Sequence, residues 1–161
     1  VLERELTPLA DRVVSASGGP GSAAERMAAV VGAFFEHFQG HPDMPRLMLQ
    51  EIAAGKEPPP VVIATLQRVM GTLTRIHEAG IHDGTVRSGH PVLTALSVVA
   101  QPIYMTLVSP LLNTITGLDL GDPDTRSMAV AHATSFVRAG LAPEAMLVGE
   151  KTDRPSKEEL P

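Results

Sequence analysis

Apolar residues recur along this chain at spacings of three and four, and nowhere do they alternate over the length of a strand. That period belongs to helices with one buried face, so the pattern predicts an all-α bundle of about six helices. Leu2, Leu6, Leu9, Val13 and Val14 mark a first helix over residues 2–15, with Pro8 inside it as a bend. Ser17-Gly-Gly-Pro-Gly21 then breaks the chain. Ser22-Ala-Ala-Glu25 has the capping-box form, in which a hydroxyl and a carboxylate satisfy each other's free backbone amides. Met27, Val30, Val31, Phe34, Phe35 and Phe38 carry the second helix to Gly40. His41-Pro42 offers a proline at an expected first helical position. Met44, Leu47, Met48 and Ile52 follow as a short amphipathic helix ending at Gly55.

Pro58-Pro59-Pro60 opens the cleanest pattern of all. Val62, Leu66, Val69, Met70, Leu73, Ile76 and His77 share one stripe, while Thr65, Arg68, Thr72 and Arg75 fall on the other side. Gly80 is the expected stop, and 81–90 reads as a polar, turn-rich connection. A last helix starts at Asp122-Pro123, an N-cap followed by proline, and runs through Met128, Ala129, His132, Ala133, Phe136 and Val137 to Gly140. From Ala142 the period is lost and charge and proline rise, which predicts a flexible tail over 142–161.

Between these helices lies an unusual segment. From Pro91 to Leu118 the chain runs for 28 residues without a charged side chain. A helix in water normally turns a charged face to solvent, so one without such a face needs cover on both sides. The run exceeds the about 20 residues that span a bilayer. Against a span stand Pro102, Pro110, eight uncharged polar residues and the lack of a basic flank or interfacial Trp. The expectation is therefore a central helix, with its own domain on one side and a second protein chain on the other, and no membrane.

Composition narrows the classes further. A chain of 161 residues is one domain by length, large enough for a proper core. Its net charge of −5 gives no nucleic-acid surface. The absence of cysteine excludes disulfides, thiolate metal sites and cysteine nucleophiles, and fits a cytoplasmic protein. Val1 in place of an initiator Met leads us to expect a fragment or a processed product.

Six histidines are the first place to look for chemistry. His37 and His41 are four apart, but Gly40 and Pro42 are expected to break the helix between them, so a shared face is not implied. His77, Glu78, His82 and Asp83 cluster around a helix end, where His77 and Glu78 are expected to point in different directions and the rest to lie in a loop. Neither Glu-x-x-His nor His-Glu-x-x-His occurs, which removes the di-iron bundle and metalloprotease signatures. The histidines read more simply as structural. His77 and His132 would be partly buried and hydrogen-bonded, with His37, His41, His82 and His90 at helix ends. No metal and no cofactor are expected. Gly18-Gly-Pro-Gly21 lacks the lysine and preceding strand of a phosphate loop, and no Gly-x-Ser-x-Gly is present, so no catalytic residue is assigned and an enzyme is not expected. The alternatives kept open are a small helical-bundle enzyme or metal-binding protein, and a structural helical adaptor with a filled core.

The Phe and Met residues admit two readings: plain core, or the wall of a cavity whose few polar groups orient a small molecule. On the second reading the lining is Phe34, Phe38, Leu66, Met70, Leu73, His77, Gln101, Tyr104 and Met105. The absence of Trp disfavours an aromatic cage for a cation, and the lack of a buried charge leans towards a neutral, largely apolar ligand.

His41-Pro-Asp-Met-Pro-Arg-Leu-Met-Leu-Gln-Glu51, preceded by Phe34-Phe35-Glu36-His37-Phe38, resembles the ligand-binding domain of TetR-type transcriptional regulators. So does Glu78-Ala-Gly80 with Asp83-Gly84-Thr85-Val86-Arg87 and the long uncharged helix after it. Helix number and order resemble the family over residues 2–140. His90 departs from the acidic residue that often precedes the long helix, and the family's N-terminal helix-turn-helix lies outside this sequence. The resemblance implies three parts: 1–15 as the end of a helix leading to a missing DNA-binding domain, 16–141 as the ligand-binding and dimerisation domain, and 142–161 as the tail. It implies a repressor that leaves operator DNA when a small effector binds, touching DNA only through the missing domain. It also implies a homodimer built as a four-helix bundle from 91–116 and 123–139, with Leu107, Leu111, Met128, Ala129, His132, Ala133 and Phe136 at the interface.

Overall fold

A computed structural model describes residues 2–55 and 57–143. The tail expected over 142–161 therefore lies almost wholly outside the described residues. Six helices appear in the order the period predicts: α1 (Leu2–Ser17), α2 (Ala23–Gly40), α3 (Met44–Ala53), α4 (Pro60–His82), α5 (Pro91–Thr116) and α6 (Pro123–Leu141). Among the described residues there is no strand.

α2 is the hub, packing against α1, α4, α5 and α6. Its start is fixed as the sequence demands: Glu25 N–H donates to the Ser22 hydroxyl at 3.3 Å, and Ser22 N–H donates to Glu25 Oε2 at 2.7 Å. Met27, Val30, Val31, Phe34, Phe35 and Phe38 are all buried, and the tilted rings of Phe34 and Phe38 lie 5.8 Å apart. They join Leu6, Leu9 and Val13 of α1, Leu73 and Ile76 of α4, Val98 and Val99 of α5, and Val137 and Leu141 of α6 in one core. Each such side chain contributes about 1.5–3 kcal/mol by leaving water. Exposed ion pairs, Arg68–Asp11 between α4 and α1 and Arg12–Glu36 between α1 and α2, add little to that.

Three local expectations are corrected. α3 begins at Met44, and it is Pro45 rather than Pro42 that occupies its first turn. Pro42 lies in the preceding turn, which the Met44 N–H to His41 carbonyl bond closes. Gly80 does not end α4, which continues to His82. A Cβ on Gly80 would lie 2.6 Å from Ala23 Cβ and 2.6 Å from Val86 Cγ2, so this glycine is a packing requirement between α2 and the loop after α4. The turn falls instead at Gly84, whose φ of +74° suits glycine. Thr72, expected to face solvent, is buried. Its hydroxyl donates to the Arg68 carbonyl at 2.8 Å, which makes the position tolerable inside.

α5 is one continuous helix despite Pro102 and Pro110, and it ends at Gly117 in the left-handed conformation, with φ +76°. It is also the one described helix that is long and apolar enough to cross a bilayer. Its two sides differ sharply. Ala95, Val98, Val99 and Pro102 are buried, whereas Val92, Leu93, Leu96, Tyr104, Leu111 and Ile115 are exposed. Several hydroxyls here turn back on the backbone. Ser97 donates to the Leu93 carbonyl at 2.9 Å, Thr114 to Pro110 at 3.0 Å and Thr116 to Leu112 at 2.7 Å. α6 divides similarly, with Ala133, Val137 and Leu141 inward and Met128, His132 and Phe136 outward. Both helices lean on α2 but barely touch each other, which leaves an open groove between them.

Candidate ligand groove and pairing face

Where the first turns of α5 face the last turns of α6, the groove has a volume of about 340 Å³. Its rim is the loop 83–90, and that loop is held from both ends. Thr85 and Val86 N–H donate to the Gly80 carbonyl at 2.9 and 3.0 Å, and Arg87 N–H donates to the Leu141 carbonyl at 2.9 Å. Leu93, Val98, Phe136 and Val137 supply apolar wall, while Thr94, Gln101 and His77 supply polar atoms.

His77 is the distinctive member. It is 1% exposed, and its Nδ1 is buried with no hydrogen-bond partner. Gly89 passes over the ring, since a Cβ there would lie 3.8 Å from Nε2. Burial lowers the pKa of His77 below the ordinary 6.5, against a smaller opposing pull from Glu78. The ring is therefore neutral at pH 7 and carries one N–H donor and one acceptor. A buried polar atom left unmet is costly unless something supplies a partner.

A second and larger cleft of about 710 Å³ opens between the end of α2, the start of α3 and the second half of α5. Its charged lining includes the exposed Arg46–Asp43 ion pair, which is already self-satisfied.

The sequence reading grouped its ligand residues into one chamber, and the structure distributes them. His77 and Gln101 line the first groove, and Phe38 lines the second cleft. Phe34 and Leu73 belong to the filled core, with Met70 and Met105 partly buried against it. Leu66 stands at the surface, and Tyr104 is 64% exposed on the outer side of α5. Of the interface residues, Leu111, Met128, His132 and Phe136 face outward, Leu107 and Ala129 are half-buried, and Ala133 is buried in the chain's own core. Phe136 also lines the groove, a role that a face-by-face reading of one helix cannot reveal. Val137 and Leu141 could be placed only by knowing that the end of α6 lies beside the start of α5.

The histidines are rearranged as well. His37, expected at a helix end in solvent, is 3% exposed, and His132, expected partly buried, is exposed. α2 runs unbroken through Gly40, so His37 and His41 do share a side, with rings stacked at 4.7 Å.

The described residues form a helical domain with α2 as its interior hub and a bare apolar side on α5 and α6. A family described as tetracyclin repressor-like, C-terminal domain, matches residues 24–137, and the chain belongs to that family. Among solved structures, a protein of unknown function from Rhodococcus sp. RHA1 is similar with a TM-score of 0.68 and 20% identity, covering 88% of this chain and 70% of that one. A bacterial regulatory protein in the tetR family from Rhodococcus RHA1 is similar with a TM-score of 0.62 and 18% identity, covering 88% and 72%. At such identities these likenesses speak to the fold. No curated protein matches significantly.

Proposed function

We propose that this chain is the effector-binding and dimerising part of a TetR-type one-component transcriptional regulator, a repressor that a small, largely apolar and neutral molecule releases from operator DNA. The observation that carries the reading is the uncovered apolar side shared by α5 and α6, displayed by Leu93, Leu96, Tyr104, Leu111, Met128 and Phe136. Left in water, such a patch is a liability, and a second copy of the same two helices would cover it symmetrically. Sedimentation at micromolar concentration should give a dimer, and a monomer there would remove this support.

The effector is placed in the groove beside His77. The neutral imidazole offers hydrogen bonding without charge, and Leu93, Val98 and Phe136 offer apolar contact. Leu93 and Phe136 stand on both the groove wall and the bare side, so occupancy and pairing would share residues. Thermal-shift screening with neutral lipophilic compounds tests the site, because a ligand raises native stability with its saturation. Hits should lose their shift in His77→Phe and keep it in Phe38→Leu, which alters the second cleft instead. The opposite pattern would move the site to that cleft.

A further inference from the structure

At the end of α2, far along the helix from the groove, a second group of histidines meets the first helix. His37, His41 and Glu5 of α1 each offer a ligand atom, and the three atoms lie within 4.8 Å of one another. His41 Nδ1 is 2.7 Å from Glu5 Oε2. His37 is 3% exposed, and its Nε2 is buried with no hydrogen-bond partner. From this juxtaposition we propose that Glu5, His37 and His41 form a binding site for a divalent transition-metal ion, of the Zn²⁺ or Ni²⁺ type.

The donor set selects the ion class. Two imidazoles and one carboxylate suit Zn²⁺, Ni²⁺, Co²⁺ or Cu²⁺, while Mg²⁺ and Ca²⁺ prefer all-oxygen shells. Three protein donors leave a fourth position for water, and His41, at the surface, gives the ion a way in. Desolvation, with smaller pushes from His41 and Arg12, lowers the His37 pKa below 6.5, while the Glu5 carboxylate and its main chain pull the other way. Arg12 is the opposing cation, and its guanidinium is drawn off towards Glu36 at 3.5 Å. Neither helix alone holds the set. α2 contributes His37 and, at its C-cap, His41, and α1 brings Glu5 across. A bound ion would clamp α1 to the end of α2. That α1 leads to a DNA-binding domain rests on the function proposed above, whereas metal binding itself does not.

The test is calorimetric titration of ZnCl₂ into the tag-free, full 161-residue chain at neutral pH, with Co²⁺ absorption as a spectroscopic check. The expected result is one ion per chain, with visible Co²⁺ bands of a nitrogen–oxygen site. His41→Ala and Glu5→Gln should each weaken Zn²⁺ binding by at least about 10–100-fold, the range in which even outer-shell losses fall. Because both positions reach solvent, their folding can be confirmed by helical circular dichroism, and they decide the matter even if His37→Gln fails to fold. Absence of Zn²⁺ binding up to millimolar concentration overturns the proposal. So does binding that both variants leave unchanged, which would assign the ion to other histidines. A dimer that binds no metal leaves the regulator reading standing while this one falls.

Discussion

α2 and α5 are the two most apolar of the described helices, and the fold treats them oppositely. α2 is enclosed by four neighbours, and the positions it leaves in water include Glu25, Glu36 and Gln39. α5 has the richer apolar content yet shows leucine, valine, isoleucine and tyrosine to solvent along its length. A helix can therefore be greasy because it is a hub or because its cover comes from outside the chain. Charge placement separates the cases: α2 turns Glu25 and Glu36 to solvent, and α5 has no charged residue to turn.

The largest effect should come from hollowing the enclosed helix. Phe38→Ala removes a fully buried ring and is expected to cost about 3–5 kcal/mol in urea unfolding. The matching truncation on the bare side, Leu111→Ala, should cost less than about 0.5 kcal/mol in the diluted single chain. Equal losses would collapse the distinction between the two helices. Leu96→Glu sharpens it from the other direction, since a charge on the bare side should shift the sedimentation profile from dimer to monomer and leave the helical signal intact. Next comes the contact of α2 with the loop after α4. Gly80→Ala must push Ala23 or Val86 aside and is expected to lose about 1–3 kcal/mol.

The pH dependence follows in size. His37 and His77 both have folded pKa values below the 6.5 of the free side chain, chiefly through burial. On acidification the unfolded chain takes up protons first, so stability is complete above about pH 7 and falls as pH drops through 6.5 towards the depressed folded values. Melting temperatures measured from pH 7.5 to 5 should decline, and His77→Phe should flatten part of that slope. A modest effect is expected at the cap of α2. Ser22→Ala breaks the reciprocal Ser22–Glu25 pair for about 1 kcal/mol.

Much of this architecture was legible in the sequence, because a helix's period, its caps and its proline starts are local. The capping box at Ser22, the Asp122-Pro123 start and the extent of α5 needed nothing beyond neighbours in the chain. What escaped depends on contacts between distant segments. Gly80 reads as a stop until Ala23 and Val86 are seen pressed against it. Tyr104 reads as a pocket residue until the inward side of α5 proves to be Val98, Val99 and Pro102. His37 and His41 read as separated until α2 continues through Gly40, and no pattern within α1 announces that Glu5 meets them.

The hydroxyls of Ser97, Thr114 and Thr116 carry one more consequence. Each has already traded water for a carbonyl one turn back, so what it turns outward is mostly carbon. Stripping the hydration layer at these positions strands none of the three donors, and adhesion there is opposed chiefly by the entropy of bringing two bodies together.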